Sequence, residues 1–507
     1  MAYFLPIFTR HPFKPVPLTL KVKGHIHHSM EKDRTMSDTY QTIANSPMGK
    51  ALFGAINLPI PVILERWQPG QASFIKGRVL VGAANGSTGI DSVLSTLKGS
   101  PDAQVAVLAN TANATDLQKQ AGKLGVDADN YTASRDDDAK FKGLVFDATG
   151  IQSPDELKAL WDFFHPVIRK LDKCARVVVI GRTPEKQAGA ARVAQRALEG
   201  FTRSVGKEIK KGATAQLVYV DEGAEAQLAS PLHFFLSPKS AYVSGQVVRV
   251  TKAGFKAAKF DWDKPLSGKK ALVTGGSRGI GAAIAEVLAR DGATVTVLDI
   301  PPMADDLNAV AAQIGGDTLE MDITADEAPA AIAAKAKAIG GYDVVVHNAG
   351  VTRDKMLGNM PEKFWDMVLN INIASQLRIN EALLSSGGLG KGASIISISS
   401  IAGIAGNLGQ TNYGCSKAAV IGMVDAFKDE YAEQGITINA VAPGFIETQM
   451  TAAIPFTIRE AGRRMNAMNQ GGQPVDVAET IAFFASPASQ GLTGNVVRVC
   501  GQMLLGA

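Results

Sequence analysis

The chain has 507 residues, 46% of them apolar and 20% charged, so it is too long for a single ~150-residue domain and too apolar for a disordered or fibrous polymer. No apolar run reaches the ~18 to 20 residues that span a bilayer, and no membrane partner is expected. The formal charge of +4 lies in residues 1–35, where Arg10, Lys14, Lys21, Lys23, Lys32 and Arg34 outnumber Glu31 and Asp33; the body is neutral, and a nucleic-acid partner is not expected.

In chain order, the first segment carries four of the seven histidines, and Pro6, Pro12, Pro15 and Pro17 interrupt any helix. Residues 1–36 are expected to be a disordered leader, with the folded part starting near Met36. A targeting peptide is the other reading, although its apolar stretch, Phe4–Phe8, is short and broken by Pro6. Cys174, Cys415 and Cys500 are too few and too dispersed for a disulfide framework or a zinc site. No metal is expected, and the compartment is expected to be reducing and cytoplasmic.

From about residue 76, short Val/Ile-rich runs alternate with Ala-rich stretches of helical length. The runs include Arg78–Val81, Gln104–Leu108, Arg176–Ile180, Leu272–Thr274, Thr294–Leu298, Asp343–His347 and Ser394–Ser397. Continuous apolar strands separated by helices predict an α/β fold with parallel sheets covered on both faces. An internal repeat sets the domain count. Ser237–Val250 (SPKSAYVSGQVVRV) matches Ser486–Val499 (SPASQGLTGNVVRV) at eight of fourteen positions, an offset of 486 − 237 = 249 residues. ALEGFTRSVGKE from Ala197 parallels AVIGMVDAFKDE from Ala419. So long a period means duplicated domains rather than solenoid units of ~20 to 50 residues. Two tandem Rossmann-like, doubly wound sheets are expected, over 37–258 and 259–507, joined near the polar stretch Phe255–Gly268.

The second half carries the chemistry. Residues 271–282 read ALVTGGSRGIGA: a buried strand, a glycine turn and a helix starting near Ile280. Gly275 permits the turn, Gly279 admits a pyrophosphate to the backbone, and Gly281 allows close packing, with phosphates at the helix N-terminus. Asp299 closes the next strand and Asp322 follows the third, where it could bond an adenine amino group. Asn348-Ala349-Gly350 ends the fourth. Ser400 lies thirteen residues before Tyr413, and Lys417 lies four residues after it. On a helix, i and i+4 share a face, so the phenol and the ammonium point into one cleft. A nearby cation favours tyrosinate, lowering a phenol pKa of ~10.

Residues 264–507 resemble the short-chain dehydrogenase/reductases: TGxxxGxG, NAG, Asn372, Ser400 and Y-x-x-x-K come in order and at that family's spacing. The run GITINAVAPGFIETQMT resembles their 3-oxoacyl-[acyl-carrier-protein] reductases, and the duplicated chain resembles the high-molecular-weight, two-domain form. The resemblance implies an enzyme that reduces a 3-oxoacyl thioester, on acyl carrier protein or CoA, to the 3-hydroxyacyl thioester in fatty-acid metabolism. It implies Tyr413 as general acid, Ser400 holding the substrate oxygen, Lys417 lowering the Tyr413 pKa and bonding the nicotinamide ribose, and Asn372 anchoring a water for proton resupply. It places the cofactor against Gly275, Ser277, Arg278, Gly279, Ile280, Gly281, Asp299, Asp322, Ile323, Asn348, Ala349, Gly350, Tyr413, Lys417, Pro443, Gly444, Ile446 and Thr448.

A homo-oligomer, dimer or tetramer, is expected. Asp299 at the strand tip favours NADH, because a carboxylate accepts bonds from the ribose hydroxyls and repels a 2′-phosphate; Arg278 leaves NADPH open. Gln434, where relatives place a basic residue, leaves CoA open beside the carrier protein, with Lys391 keeping a charge at another such position. Another carbonyl or alcohol substrate (a sugar, polyol or steroid) and a non-catalytic nucleotide-binding scaffold are the competing functions. Cys415 reads as a packing residue, and His347 as filling a strand end. In the first half, Ala191 and Gln195 fall where Tyr413 and Lys417 stand. That half is expected to be degenerate and non-catalytic, and its turn GAANGSTG from Gly82 leaves a residual nucleotide site around Asn85–Gly89 open.

Overall fold

The apolar runs become strands because both of their faces are covered. In β6 (Thr214–Val220) and β13 (Thr437–Pro443) every residue is buried, as an interior parallel strand requires. The structure is a computed structural model that describes residues 38–55, 60–109, 111, 113–134, 137–256, 260–452 and 454–503. The expected leader, residues 1–36, lies outside the described residues, as do residues 257–259 of the joint.

The other strands of the first sheet are β1 (Gly77–Ala83), β2 (Ala103–Leu108), β3 (Ala128–Tyr131), β4 (Phe141–Asp147), β5 (Leu171–Arg182) and β7 (Gln246–Val250). Those of the second are β8 (Lys270–Thr274), β9 (Thr294–Asp299), β10 (Asp317–Glu320), β11 (Tyr342–His347), β12 (Leu389–Ile398) and β14 (Val496–Val499). Their orders are 3-2-1-4-5-6-7 and 10-9-8-11-12-13-14, so the second sheet repeats the first strand for strand. Strand pairing is parallel throughout both sheets, for example β1 on β4 and β8 on β9. Each order reverses direction beside its first strand, β1/β4 and β8/β11, and there the carboxyl ends of the strands open a crevice.

The halves meet across a local two-fold axis. Phe234 and Phe483, related by the spacing that relates Ser237 to Ser486, stack with ring centroids 4.4 Å apart and an interplanar angle of 6°. Their neighbours exchange hydrogen bonds reciprocally. The Arg249 amide donates to Asn495 Oδ1 (2.7 Å), and the Arg498 amide donates to Gln246 Oε1 (2.9 Å). The same spacing relates 246 to 495 and 249 to 498, so the contact is self-complementary, as in a two-fold dimer. One hydrophobic core, running from Leu64 through Phe235 to Phe484 and Val499, is built from both halves, and each half also has a core of its own.

Polar ties reinforce the seam. Arg66, ahead of β1, forks onto Asp476 at 2.9 and 2.9 Å. Asp476 sits in the capping box of the helix Pro474–Ala485, where its carboxylate also takes the Gln473 amide. The joint reads as polar, yet its aromatic residues are packed. Trp262 stacks on the half-buried His233 at 3.7 Å, with Phe255 and Phe260 edge-on to it. Burial pushes the His233 imidazole down to about 3, which leaves it a neutral packing group.

Because Phe483 is buried in the shared core, Phe483→Ala is expected to destabilise the full chain by ~3 to 5 kcal/mol in denaturant unfolding. A loss below ~1 kcal/mol would mean that the seam closes without the stack.

Candidate active site

At the β8/β11 switch point, four residues fix the turn. Gly275 has φ +65°, and a Cβ on it would come within 2.8 Å of the Ala349 Cα. A Cβ on Gly281 would lie 1.9 Å from the Gly275 carbonyl oxygen, so the helix Gly279–Arg290 sits directly on the turn. Asn348 Nδ2 donates to the carbonyls of Thr274 (3.0 Å) and Gly275 (2.9 Å). Thr274 Oγ1 accepts the amides of Asn348 and Ala349, each at 3.1 Å. The first helical residue is Gly279, one before the expected Ile280.

The Gly279 position, φ +58°, opens on free space, and the helix-capping residue Arg278 makes no side-chain bond to the first turn. Uncapped amides and the positive end of the helix dipole suit a phosphate. Asp299, at the end of β9, faces this turn. Its carboxylate accepts the Ser277 amide (3.2 Å), the Ser277 hydroxyl (2.6 Å) and the Ile300 amide (2.9 Å). Arg278 is exposed. Asp322, also exposed, accepts the Thr324 amide and hydroxyl at 2.9 and 2.7 Å, and Ile323 is buried beside it. A glycine cradle, an open helix N-terminus and a strand-end carboxylate together fit a dinucleotide.

Ser400, Tyr413 and Lys417 converge at the carboxyl end of β12. The helix Thr411–Glu433 carries Tyr413 and Lys417 on one face, with the Lys417 Nζ 5.6 Å from the centre of the phenol ring. Tyr413 hydrogen-bonds the Ser400 side chain; burial pushes its phenol up, and the Ser400 bond only partly offsets this. The Lys417 ammonium donates to the Ile398 carbonyl at 2.8 Å. Burial pushes Lys417 down to about 8. Thus the phenol lies above its ordinary value, whereas the spacing of the cation predicts a lowered one: desolvation, joined by the Asp354 carboxylate, outweighs the Ser400 bond.

Asn372 lies in a π-turn, Asn370–Ala374. Its side chain brackets Val351, accepting its amide (2.9 Å) and donating to its carbonyl (3.1 Å), and also donates to Ser416 Oγ (3.0 Å). Both Asn372 Oδ1 and Lys417 Nζ would stand 3.3 Å from a Cβ on Gly350, so that glycine keeps the space between them. After β13, Gly444 passes so close to Cys500 that a Cβ would lie 2.6 Å from the Cys500 Cβ. Ile446 is buried, and the Thr448 amide donates to Thr451 Oγ1 at 2.9 Å. The loops that carry the sequence set, from Gly275 to Thr448, thus follow the carboxyl ends of strands β8 to β13.

Several supporting residues escape sequence reasoning. Asn412 donates to the Arg353 and Phe364 carbonyls and accepts the Tyr413 amide at 2.7 Å, which orients the start of the helix. Ser399 Oγ donates to the Lys417 carbonyl at 2.7 Å. Both adjoin motif residues, which is the only signal the sequence offers for them. Glu447 and Arg463 form a buried fork, at 2.5 and 2.8 Å, with no local pattern to announce it. Cys415 is exposed. His347 is buried against Asn380 at 2.8 Å, and burial pushes it down to about 4.

The first half shows the contrast. At the head of its helix Ile90–Lys98, the Gly89 amide donates to Asp147 Oδ2 at 2.7 Å, and Thr149 bonds Oδ1 through its amide and hydroxyl. A Cβ on Gly150 would lie 2.0 Å from the Asn85 carbonyl oxygen. Here the chain's own Asp147 carboxyl accepts a helix-head amide, where the second half leaves its helix head without a side-chain cap. Where Lys417 stands in the second half, Gln195 is buried, donating to the Ala148 and Ile151 carbonyls and accepting the Arg182 amide.

A family model described as enoyl-(acyl carrier protein) reductase matches residues 275–501. Among curated proteins, the chain is similar to 3-oxoacyl-[acyl-carrier-protein] reductase FabG of Thermotoga maritima, 37% identical over 246 residues, 47% of this chain and 99% of that protein. It is similar to the FabG of Vibrio cholerae, 39% identical over 244 residues, and to that of Pseudomonas aeruginosa, 39% over 246, with the same 47% and 99% coverage.

The buried Lys417 has a consequence for pH. Its folded value is about 8, against ~10.4 for an unfolded lysine. Between these values the unfolded chain binds more protons, so stability rises with pH across that window. In thermal melts of cofactor-free protein, the stability of the wild type relative to Lys417→Met should be flat below about 8 and climb toward ~10. A flat difference throughout would mean that the amine is not desolvated.

Proposed function

The chain belongs to the short-chain dehydrogenase/reductase family, and from that we propose that it reduces a 3-oxoacyl thioester to the 3-hydroxyacyl thioester, with the chemistry in residues 259–507. The observation that carries the reading is the Ser400–Tyr413 hydroxyl pair, backed by Lys417, in the half that matches the relatives over almost their whole length. The nicotinamide cofactor, when bound, supplies the hydride. The protein supplies the proton. Tyr413 Oη, kept protonated at neutral pH by its burial, donates to the carbonyl oxygen as negative charge develops there, and Ser400 Oγ holds that oxygen. Lys417, close to half protonated near pH 8, is placed to return a proton to the phenolate, and Asn372 is assigned the route by which that proton is replaced.

The relatives are named for acyl-carrier-protein thioesters, and the proposal takes that carrier for this chain. The neutral, exposed Gln434 keeps CoA as the alternative, and kcat/KM on matched thioesters separates them. A non-catalytic role for 37–258, a homo-oligomer and a cytoplasmic site complete the reading. Support for the first comes from Gln195, in the place of Lys417, and Asp147, in the place of a phosphate.

With acetoacetyl-CoA as substrate, followed by nicotinamide absorbance, Tyr413→Phe should lose ~10² to 10⁴ in turnover while cofactor binding is retained. Loss below ~10², or no turnover by the wild type on CoA or carrier thioesters, would overturn the assignment.

For the cofactor we propose NADH. Asp299 stands at the strand tip and is anchored by Ser277, whereas Arg278 is solvent-exposed. Asp299→Ala should shift the ratio of kcat/KM for NADH over NADPH by at least ~tenfold toward NADPH, ~1.4 kcal/mol. A wild type already ~tenfold better with NADPH would transfer the decision to Arg278.

A further inference from the structure

Just beyond β13 the chain makes an excursion whose base is pinned shut. Ile446 pairs with Gly472, the Glu447 amide donates to the Gly472 carbonyl at 2.8 Å, and the Gly472 amide donates to the Phe445 carbonyl at 3.0 Å. That base adjoins the site: the Pro443 carbonyl accepts the amide of Ile401, the residue after Ser400, at 3.1 Å. The far part of the excursion, the helix Phe456–Arg464 and its return to Gln470, presents Phe456 and Ile458 to solvent, 67% and 62% exposed. Apolar packing alone does not explain what holds it in place.

Two adjacent guanidiniums do. Arg463 turns inward and forks onto Glu447, between Ile446 and Thr448. Arg464 turns outward and forks onto Asp38, Nη1 to Oδ2 at 2.7 Å and Nη2 to Oδ1 at 2.8 Å, with its guanidinium 4.6 Å from the centre of the Tyr40 ring. Gln41 Nε2 donates to Gln470 Oε1 at 2.9 Å, and Gln470 Nε2 donates to the Val62 carbonyl at 2.8 Å. Tyr242 Oη donates to the Gln470 carbonyl at 2.7 Å and accepts from Asn466 Nδ2 at 3.2 Å. Asp38, Gln41, Val62 and Tyr242 all belong to the first half. Bidentate charge-assisted forks fix direction as well as distance, so the pair of arginines transmits the position of Asp38 to the loop that carries Ile446 and Thr448.

We propose that Asp38, with Gln41 and Tyr242, is a positioning residue for the reaction of the other half: the non-catalytic half sets the segment 456–470 and, through Arg463 and Glu447, the Ile446–Thr448 wall of the crevice. The functional part of this inference rests on the reductase reading above; the mechanical part does not. Asp38 also caps the helix Thr39–Asn45 by accepting the Gln41 amide at 3.0 Å. Asn caps equally well, so Asp38→Asn removes the charge pair and keeps the cap.

The test uses the full-length chain as wild type, Asp38→Asn and Arg464→Lys. By hydrogen exchange without substrate, peptides across 456–472 should open at least ~tenfold faster in Asp38→Asn, with strands β8 to β14 unchanged. On acetoacetyl-CoA, KM should rise at least ~fivefold while kcat stays within ~twofold, and Arg464→Lys, which keeps the charge but loses the fork, should fall between. Unchanged exchange and KM in Asp38→Asn would overturn the proposal. So would exchange that rises evenly over the whole chain, because that assigns Asp38 to global stability. Inactivity of the wild type would count against the reductase reading alone, since the exchange arm still decides whether Asp38 sets this segment.

Discussion

The seam between β7 and β14 is the constraint on which the rest of the molecule depends. Each of these strands is the last of its sheet, and an edge strand exposes unpaired amides that invite aggregation. Here each edge is satisfied by the other half: Asn495 takes the Arg249 amide and Gln246 takes the Arg498 amide, while Phe234 and Phe483 stack over the axis between them. Because both sheets contribute to one core, they cannot drift apart without exposing it. The chain is in effect a two-fold dimer made covalent.

The two halves share one topology, and at the corresponding helix heads and buried cation positions they differ in electrostatics. In the second half the helix head at Gly279 has no side-chain cap, and a lysine is buried behind the phenol with the Ile398 carbonyl accepting its hydrogen bond. Both arrangements leave charge or dipole uncompensated inside the protein, which is unfavourable for folding and useful for binding and proton transfer. In the first half the same places are neutralised. Asp147 fills the helix head and Gln195 replaces the lysine, each fully bonded to its surroundings. The helix-head amide that is bonded to Asp147 in the first half has its acceptor within the chain.

The first half also makes polar contacts to the excursion that follows β13 in the second. Its leading residues reach Arg464 and Gln470, and its Tyr242 is buried against the return of the excursion that follows β13. Glu447 and Arg463 complete the link inside the second half; both are buried, so removing Arg463 leaves the Glu447 carboxylate with no solvent to receive it, whereas Arg463 also pairs with Glu460. The geometry of the crevice is thus set partly by residues more than four hundred positions upstream.

The sequence by itself determined the architecture and the inner ring of the site. Unbroken apolar runs such as Val344–Val346 specify buried parallel strands, and the repeated SP…G…VVRV specifies two of the same sheet. TGxxxGxG and Y-x-x-x-K specify side chains on one turn and one helix face, because period and short spacing translate directly into local geometry. Tertiary structure alone decided the rest. No local pattern pairs Asp38 with Arg464, Glu447 with Arg463, or Asp147 with Gly89, since each pairing exists only after separate elements dock. Desolvation is likewise a property of the packed surroundings. It raised the Tyr413 phenol where the neighbouring Lys417 predicts a lowered one, and it packed the polar-looking joint through Trp262 and His233. Spacing along a chain encodes which side chains share an element; which elements share a neighbour, and how dry the space between them is, is settled only by the fold.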